Sequence, residues 1–325
     1  MIRPQSAWVV NFFGLSHGSL SDYIGTTSGV FTPCDETNGS PFDCHRNVDN
    51  LFWQLQRQGR SDWRQWMQSM PEPCRRGVYL GVAEHRKLLQ RQPQPRRVLR
   101  QHRGDYSHPS AYCQERVIPA GTLEPENWSV FEQALDTGQV RGFKSDHPEQ
   151  LVENGHSVCV DDKNGGFSRP KSVDQWDDYL SRAVPRIMNS PAFGRNGVLV
   201  IVFDEGYGSK MQSGGRVMFA VLGQRVVPGT YGTKPTGSSG NPNLYSLLQM
   251  LEDGYRLPRL GFAGSAVRWR ISGNNAVALA SPDVEFRTAA LNTPPATRFI
   301  DCGLRDRRRG RLRSVRPFVH LCRPR

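Results

Sequence analysis

The chain has 325 residues, a formal net charge of +12 at pH 7 and 37% hydrophobic residues. Its length predicts one large domain or two ordinary ones, and no stretch approaches the roughly 18 consecutive apolar residues of a membrane-spanning helix. The positive charge is concentrated in residues 85–103 and 305–325, so the rest of the chain is slightly acidic and nucleic acid is not an expected partner. An irregular or disordered basic insert is predicted at about residues 85–110, and an Arg-rich disordered tail is predicted at residues 265–325, since neither segment shows apolar periodicity.

The first informative segment, Val9 to Gly29, begins as an apolar strand and continues as a helix. Ser16, His17 and Ser19 lie at the junction. A strand-to-helix junction places hydroxyl groups beside the amides of a helix N-terminus, which attract an oxyanion or a phosphate. Ser19 is therefore a candidate nucleophile, and the alternative is that Ser16 or Ser19 only caps the helix.

Helices are predicted over 46–59, 61–70 and 128–138 from apolar residues at helical spacing. Glu153 and His156 follow in a loop-like region, and both side chains are compatible with a metal ion. The alternative is that both are simply solvated.

The strongest strand signal is the apolar run that starts at Val198 and ends in Asp204 and Glu205. The preceding residues 172–190 form an amphipathic helix pattern, and 217–222 and 243–253 predict another strand and helix. This alternation favours a doubly wound α/β sheet in which the run from Val198 is a central parallel strand. Ligands bind beyond the carboxyl ends of such strands, so Asp204 and Glu205 are candidate site residues, with a solvated turn as the alternative.

The seven cysteines show no C-x-x-C spacing that would indicate a structural zinc site. Cys34 and Cys44 flank a loop that a disulfide could close, which mildly favours an oxidising compartment. The first residues contain no apolar core of signal-peptide length.

Four motifs occur in a fixed order: Ser16-His17-Gly18-Ser19-Leu20-Ser21-Asp22-Tyr23, Asn154-Gly155-His156, Phe203-Asp204-Glu205-Gly206 and Tyr245-Ser246-Leu247-Leu248. Together they resemble the motifs of the phosphoesterase family that joins bacterial and fungal acid phosphatases with phospholipase C enzymes, within the alkaline phosphatase superfamily. The resemblance covers roughly residues 8–80 and 115–264.

This resemblance implies a phosphoesterase domain over residues 1–264, built as an alkaline-phosphatase-like sandwich whose mostly parallel central sheet has helices on both faces. It implies the following site: Ser19 as nucleophile with His17 beside it; Asp204, Glu205 and His156 as ligands of zinc, manganese, magnesium or calcium; Asp22 and Tyr23 as substrate-binding residues. The implied substrate is a small phosphate ester or a phospholipid, and the implied location is extracellular or periplasmic. Small phosphomonoesters are favoured because no large apolar insertion marks a lipid site.

The chain also departs from the family pattern. Gly18, Ser21 and Asp22 stand where the family has Pro, Pro and Asn, and Leu244 replaces a His. The family's first strand, which ends in a Glu-Asn pair that supplies a metal ligand, has no counterpart, so the sheet is expected to lack it. Three alternatives stay open: a phospholipase C-type phosphodiesterase, a catalytically impaired or binding-only chain, and an anion- or nucleic-acid-binding protein that uses the basic tail.

Overall fold

Two β-sheets organise the part of the chain that the computed structural model describes, namely residues 2–32, 47–60, 63–68, 70–74, 110–122, 127–139, 144–147, 170–194, 196–206, 214–232 and 240–268. The strands are β1 (Ala7–Phe13), β2 (Arg64–Met67), β3 (Val117–Pro119), β4 (Lys144–His147), β5 (Leu199–Val202), β6 (Arg216–Leu222) and β7 (Gly229–Tyr231). The helices are α1 (Ser19–Ser28), α2 (Leu51–Arg57), α3 (Ala111–Gln114), α4 (Ser129–Asp136), α5 (Pro170–Met188) and α6 (Leu244–Tyr255), with short 3₁₀ turns at Arg3–Gln5 and Gly261–Gly264. None of the helices within these ranges combines the length and hydropathy of a membrane span.

The first sheet has the strand order β5-β6-β1-β7. Strand β6 runs antiparallel to both of its neighbours, whereas β7 is parallel to β1. The two faces of this sheet are covered by different helices. On one face, Val217, Phe219 and Val221 of β6 pack with α6. On the other face, Ala220 and Leu222 pack with α5. This alternation is what a strand with period-two side chains produces when both faces are buried.

The α/β class agrees with the sequence prediction, but the mostly parallel central sheet does not. The run from Val198 forms β5, which is an end strand among the described residues and is antiparallel to β6. Only Ile201 of its four residues is buried. A run of β-branched residues indicates a strand in an apolar environment, but it does not indicate the direction of the strand or its position in the sheet. The prediction of a central parallel strand was wrong for this reason.

The second sheet is parallel, with the order β3-β2-β4. Its middle strand β2 lies where a helix was predicted over 61–70, and that prediction is wrong. Trp63, Trp66 and Met67 are all buried, and so is the intervening Gln65. A strand buried on both faces shows no period-two pattern, so helical spacing of its apolar residues arose by coincidence.

The other helix predictions agree with the structure in position, with shifted ends. Helix α2 begins at Leu51 rather than near 46, because Asn50 accepts a hydrogen bond from the Trp53 amide and caps it. Helices α4, α5 and α6 lie within one to three residues of the predicted bounds at each end.

A disulfide joins Cys74 and Cys113, whose Cα atoms are 5.6 Å apart, inside the core formed by α2, Trp63 and the end of α6. All described residues belong to one compact unit that spans residues 1–288. Cys34, Cys44, Glu153 and nearly all of the predicted basic insert and tail lie outside the described residues.

Candidate active site

The carboxyl ends of β1 and β5 meet at one edge of the first sheet. Both strands are antiparallel to β6, which lies between them, so they run in the same direction. Strand β1 leads into the loop 14–18 and then α1, and β5 leads into Asp204 and Glu205. The topology therefore brings two of the four sequence motifs together, although the sheet is not parallel.

Gly14 allows the two strand ends to approach closely. A Cβ atom at this position would lie 2.5 Å from the Asp204 carbonyl oxygen and 2.8 Å from that of Gly214. The backbone closes the junction further, since Gly14 N donates to Gly215 O at 3.0 Å and Gly206 N donates to Gly214 O at 2.8 Å. Sequence reasoning missed Gly14, for which the available signal was a glycine directly after an apolar strand.

Ser19 contacts Glu205 across 186 positions of sequence. Its Oγ donates a hydrogen bond to Glu205 Oε1 at 3.3 Å, and the side chain is half-buried. Ser19 is the first residue of α1, and the residue in the cap position is Gly18, which provides no side-chain bond. Ser19 is therefore not the helix cap. The buried Ser16 has a local structural role, since its Oγ accepts the Gly18 amide at 3.1 Å.

Asp22, one turn into α1, is completely buried. Its Oδ1 accepts the amides of Leu15 at 2.9 Å and Ser16 at 2.8 Å, whereas Oδ2 has no hydrogen-bond partner in the described part of the chain. The pKa of Asp22 is raised to about 9, chiefly by burial and next by the charge of Asp204, with a smaller effect of Glu205, against the lowering effect of the two amides. Asp22, Asp204 and Glu205 are thus close enough to repel one another electrostatically.

The donors at this edge suit a divalent cation by their chemistry. Carboxylate oxygens are the ligands that hard divalent cations prefer, and a cation beside Asp204 and Glu205 would offset the repulsion that these groups impose on Asp22. Within the described ranges, no three His, Cys, Asp or Glu side chains converge as a metal site. One Asp204 oxygen, Oδ1, also accepts the Glu205 amide at 2.9 Å. His156, the third proposed ligand, lies outside the described residues.

The remaining predicted site residues are less closely engaged. His17 is exposed and has no hydrogen bond or ion pair within the described part of the chain. Tyr23 is half-buried on α1. Leu244, at the position of the family's His, is buried in the core at the first position of α6.

Tyr245, the second residue of α6, lies near Asp22, although the sequence motif that contains it predicted no role for this residue. Burial raises the pKa of its hydroxyl, and the nearby Asp22 contributes in the same direction. Its ring lies 5.4 Å from that of Phe262, and the backbone before it is tied to β1 because Phe13 N donates to Pro242 O at 3.0 Å. The start of α6 therefore lies beside Asp22 and the end of β1.

No protein-family model matches the chain, and no curated protein matches it either. The resemblance to phosphoesterases consequently rests on the sequence motifs, and their spatial arrangement is an independent observation.

Proposed function

We propose that this protein is a phosphoric ester hydrolase that acts on small phosphomonoesters through Ser19. One observation carries the proposal: the Ser19 hydroxyl, at the start of α1, donates to Glu205 Oε1 at 3.3 Å at the shared edge of β1 and β5. A hydroxyl group with a carboxylate acceptor at a strand edge has the arrangement of an activated nucleophile.

The position of Ser19 also favours a phosphate. The amides of the first helical turn and the helix dipole stabilise negative charge at a helix N-terminus. In the proposed reaction, Ser19 Oγ forms a bond to phosphorus as the bond from phosphorus to the ester oxygen breaks, and the hydroxyl proton passes to Glu205 Oε1 and from there to the leaving ester oxygen. Water then attacks the phosphorus of the phosphoserine and gives a proton to Glu205, which returns it to Ser19 Oγ as phosphate leaves.

Asp204 would hold a divalent cation together with Glu205, through the Glu205 oxygen that does not accept the Ser19 proton, and His156 is the proposed third ligand. When bound, such a cation supplies charge neutralisation at the phosphoryl group worth several kcal/mol of barrier. His17 and Tyr23 are proposed to line the substrate side of the site. The disulfide between Cys74 and Cys113 supports an extracellular or periplasmic location, since disulfides persist in oxidising compartments.

The proposal is tested by hydrolysis of an aryl phosphate across acid to mildly alkaline pH, with and without added zinc, manganese, magnesium or calcium. Ser19→Ala should lower kcat/KM by at least about 10³-fold because the nucleophile is lost. Asp204→Ala should lower it by at least about 10²-fold, and a chelator should do the same.

Ser28→Ala is the matched control, because Ser28 lies at the other end of the same helix and is buried, and its hydroxyl donates to the Ile24 carbonyl at 2.7 Å and accepts the Val30 amide at 3.3 Å. It should retain the activity of the wild type. Equal activity of wild type and Ser19→Ala would contradict the proposal, and folded wild-type protein without turnover would leave the binding-only alternative. Greater activity on a phosphatidylcholine vesicle than on the aryl phosphate would favour the phospholipase C-type alternative.

A further inference from the structure

A fully buried carboxyl group organises the loop that presents Ser19. Asp22 is 0% exposed, and its Oδ1 accepts two consecutive backbone amides, those of Leu15 and Ser16, at 2.9 and 2.8 Å. The Ser16 hydroxyl lies 3.3 Å from the same oxygen. A single oxygen of Asp22 therefore holds the residues that connect the end of β1 to the start of α1.

The loop is otherwise anchored at its start, where Gly14 N donates to Gly215 O at 3.0 Å and the Leu15 side chain packs in the core. Its backbone must leave the sheet at Gly14 and start a helix at Ser19, and the cap residue Gly18 contributes no side chain. The other side-chain contact within the loop is that of Ser16 Oγ with Gly18, and Ser16 itself is bonded to Asp22. Losing the Asp22 acceptor would leave two buried amides without a partner, which is a substantial cost.

We propose that Asp22 is a positioning residue for Ser19, which acts by holding the Leu15 and Ser16 amides and makes no contact with the substrate. This inference rests on the proposed function for its kinetic consequences. It assigns Asp22 a role different from the substrate-binding one that the sequence resemblance implies, because a side chain with no exposed surface offers no face to a substrate in this conformation.

The role requires only an acceptor oxygen at the Oδ1 position. A carboxylate, a carboxylic acid and a primary amide all provide that oxygen, so Asp22→Asn should preserve the loop, whereas Asp22→Ala should not. A misplaced nucleophile lowers the rate of the bound complex more than substrate affinity, since rate depends steeply on alignment.

The experiment compares Asp22→Asn, Asp22→Ala and wild type by amide hydrogen exchange and by kinetics. Exchange of the Leu15 and Ser16 amides, measured by NMR, should be slow in wild type and Asp22→Asn and at least about 100-fold faster in Asp22→Ala. Hydrolysis should show kcat within about threefold of wild type for Asp22→Asn and about 10²-fold lower for Asp22→Ala, with KM little changed.

Glu252→Ala provides the matched control, because Glu252 is equally buried and also accepts a loop amide, that of Leu260 at 2.8 Å. It should lose stability without changing the Leu15 and Ser16 exchange or kcat. If Asp22→Ala does not fold, Asp22→Asn alone decides: lost amide protection, or a raised KM with protection intact, would overturn the proposal. If wild type shows no hydrolysis, the proposed function fails, and the exchange measurement still tests whether Asp22 holds the loop.

Discussion

Two fully buried carboxyl groups, Asp22 beside the candidate active site and Glu252 near the end of α6, are held in different ways. Glu252 accepts the Leu260 amide at 2.8 Å and the Arg259 guanidinium at 3.3 Å, so a cation accompanies it. Asp22 accepts two amides and faces the negative charges of Asp204 and Glu205. Burial raises the pKa of both groups, to about 7 for Glu252 and to about 9 for Asp22.

This difference separates a structural site from a candidate functional one. Around Glu252, Arg259 also pairs with Asp253, and Phe262 of the same loop donates to the Gly29 carbonyl at 2.8 Å, so the loop is fastened to the end of α1. At the other end of α1, Asp22 lies near the carboxyl groups of Asp204 and Glu205, whose negative charges raise its pKa. Such an arrangement costs folding free energy and is typical of sites where charge serves binding or catalysis.

The largest expected effect is that of Gly14→Ala, which would disrupt the candidate site around Asp204 while leaving the surroundings of Glu252 intact. The added methyl group would meet backbone atoms of Asp204 and Gly214 that have no room to move. We expect unfolding in urea to show a loss of about 3 kcal/mol, together with loss of hydrolysis.

Gly254→Ala is the control for this substitution, since a Cβ there meets nothing within 4 Å and Gly254 lies inside α6. It should stabilise the protein by up to about 1 kcal/mol, because alanine is the better helix former. A Gly14→Ala protein as stable and active as Gly254→Ala would contradict the close packing of the two strand ends.

The two carboxyl groups should also differ in the pH range over which their contributions to stability are lost. The folded pKa of Asp22 lies above its usual value of 3.8, so its favourable contribution is complete below about pH 4 and is lost as pH rises towards 9. Glu252 contributes in the same direction, but only between its usual value of 4.5 and about 7. Between pH 7 and 9 the loss of stability therefore reports Asp22 rather than Glu252.

Unfolding free energies in a chelator, measured at pH 5, 7 and 9, test this assignment. Each group contributes a slope of at most about 1.4 kcal/mol per pH unit within its window. Asp22→Asn should flatten the decline between pH 7 and 9, whereas Glu252→Gln should flatten only the part below pH 7. An unchanged slope between pH 7 and 9 in Asp22→Asn would show that Asp22 does not carry this dependence.

The local elements of the candidate site were easier to predict than the sheet that carries them. The junction from β1 to α1 and the pair Asp204 and Glu205 were recognisable because strand ends, caps and acidic pairs are local features. Ser19 and Glu205 come together through strand pairing with β6, which no local pattern contains. The antiparallel direction of that pairing was unpredictable for the same reason.

Buried polar residues explain the other failures. Gln65 is 2% exposed within β2, so the alternation that distinguishes a strand was absent. Asp22 was assigned to substrate binding from the family resemblance, because a single sequence cannot show that its partners are the amides of Leu15 and Ser16. A hydrogen bond to a backbone amide cannot be predicted from residue types, because every residue except proline has such an amide.

The smallest expected effect concerns Asn243, which caps α6 at the site end of the molecule without carrying a charge. Its side chain accepts the Tyr245 amide at 3.0 Å, and its own amide donates to Ser246 Oγ at 3.2 Å. Asn243→Ala should therefore cost about 1 kcal/mol, as should Asn50→Ala at the cap of α2, while Asn243→Ser should restore most of the loss. Because no ionisable group changes, the loss measured in urea should be the same at pH 5 and pH 9, unlike that of the two carboxyl variants. If the loss of unfolding free energy in Asn243→Ala grows with pH, the cap of α6 affects the titration of Asp22 through Tyr245. The contribution of the cap to stability would then depend on the charge at the candidate site.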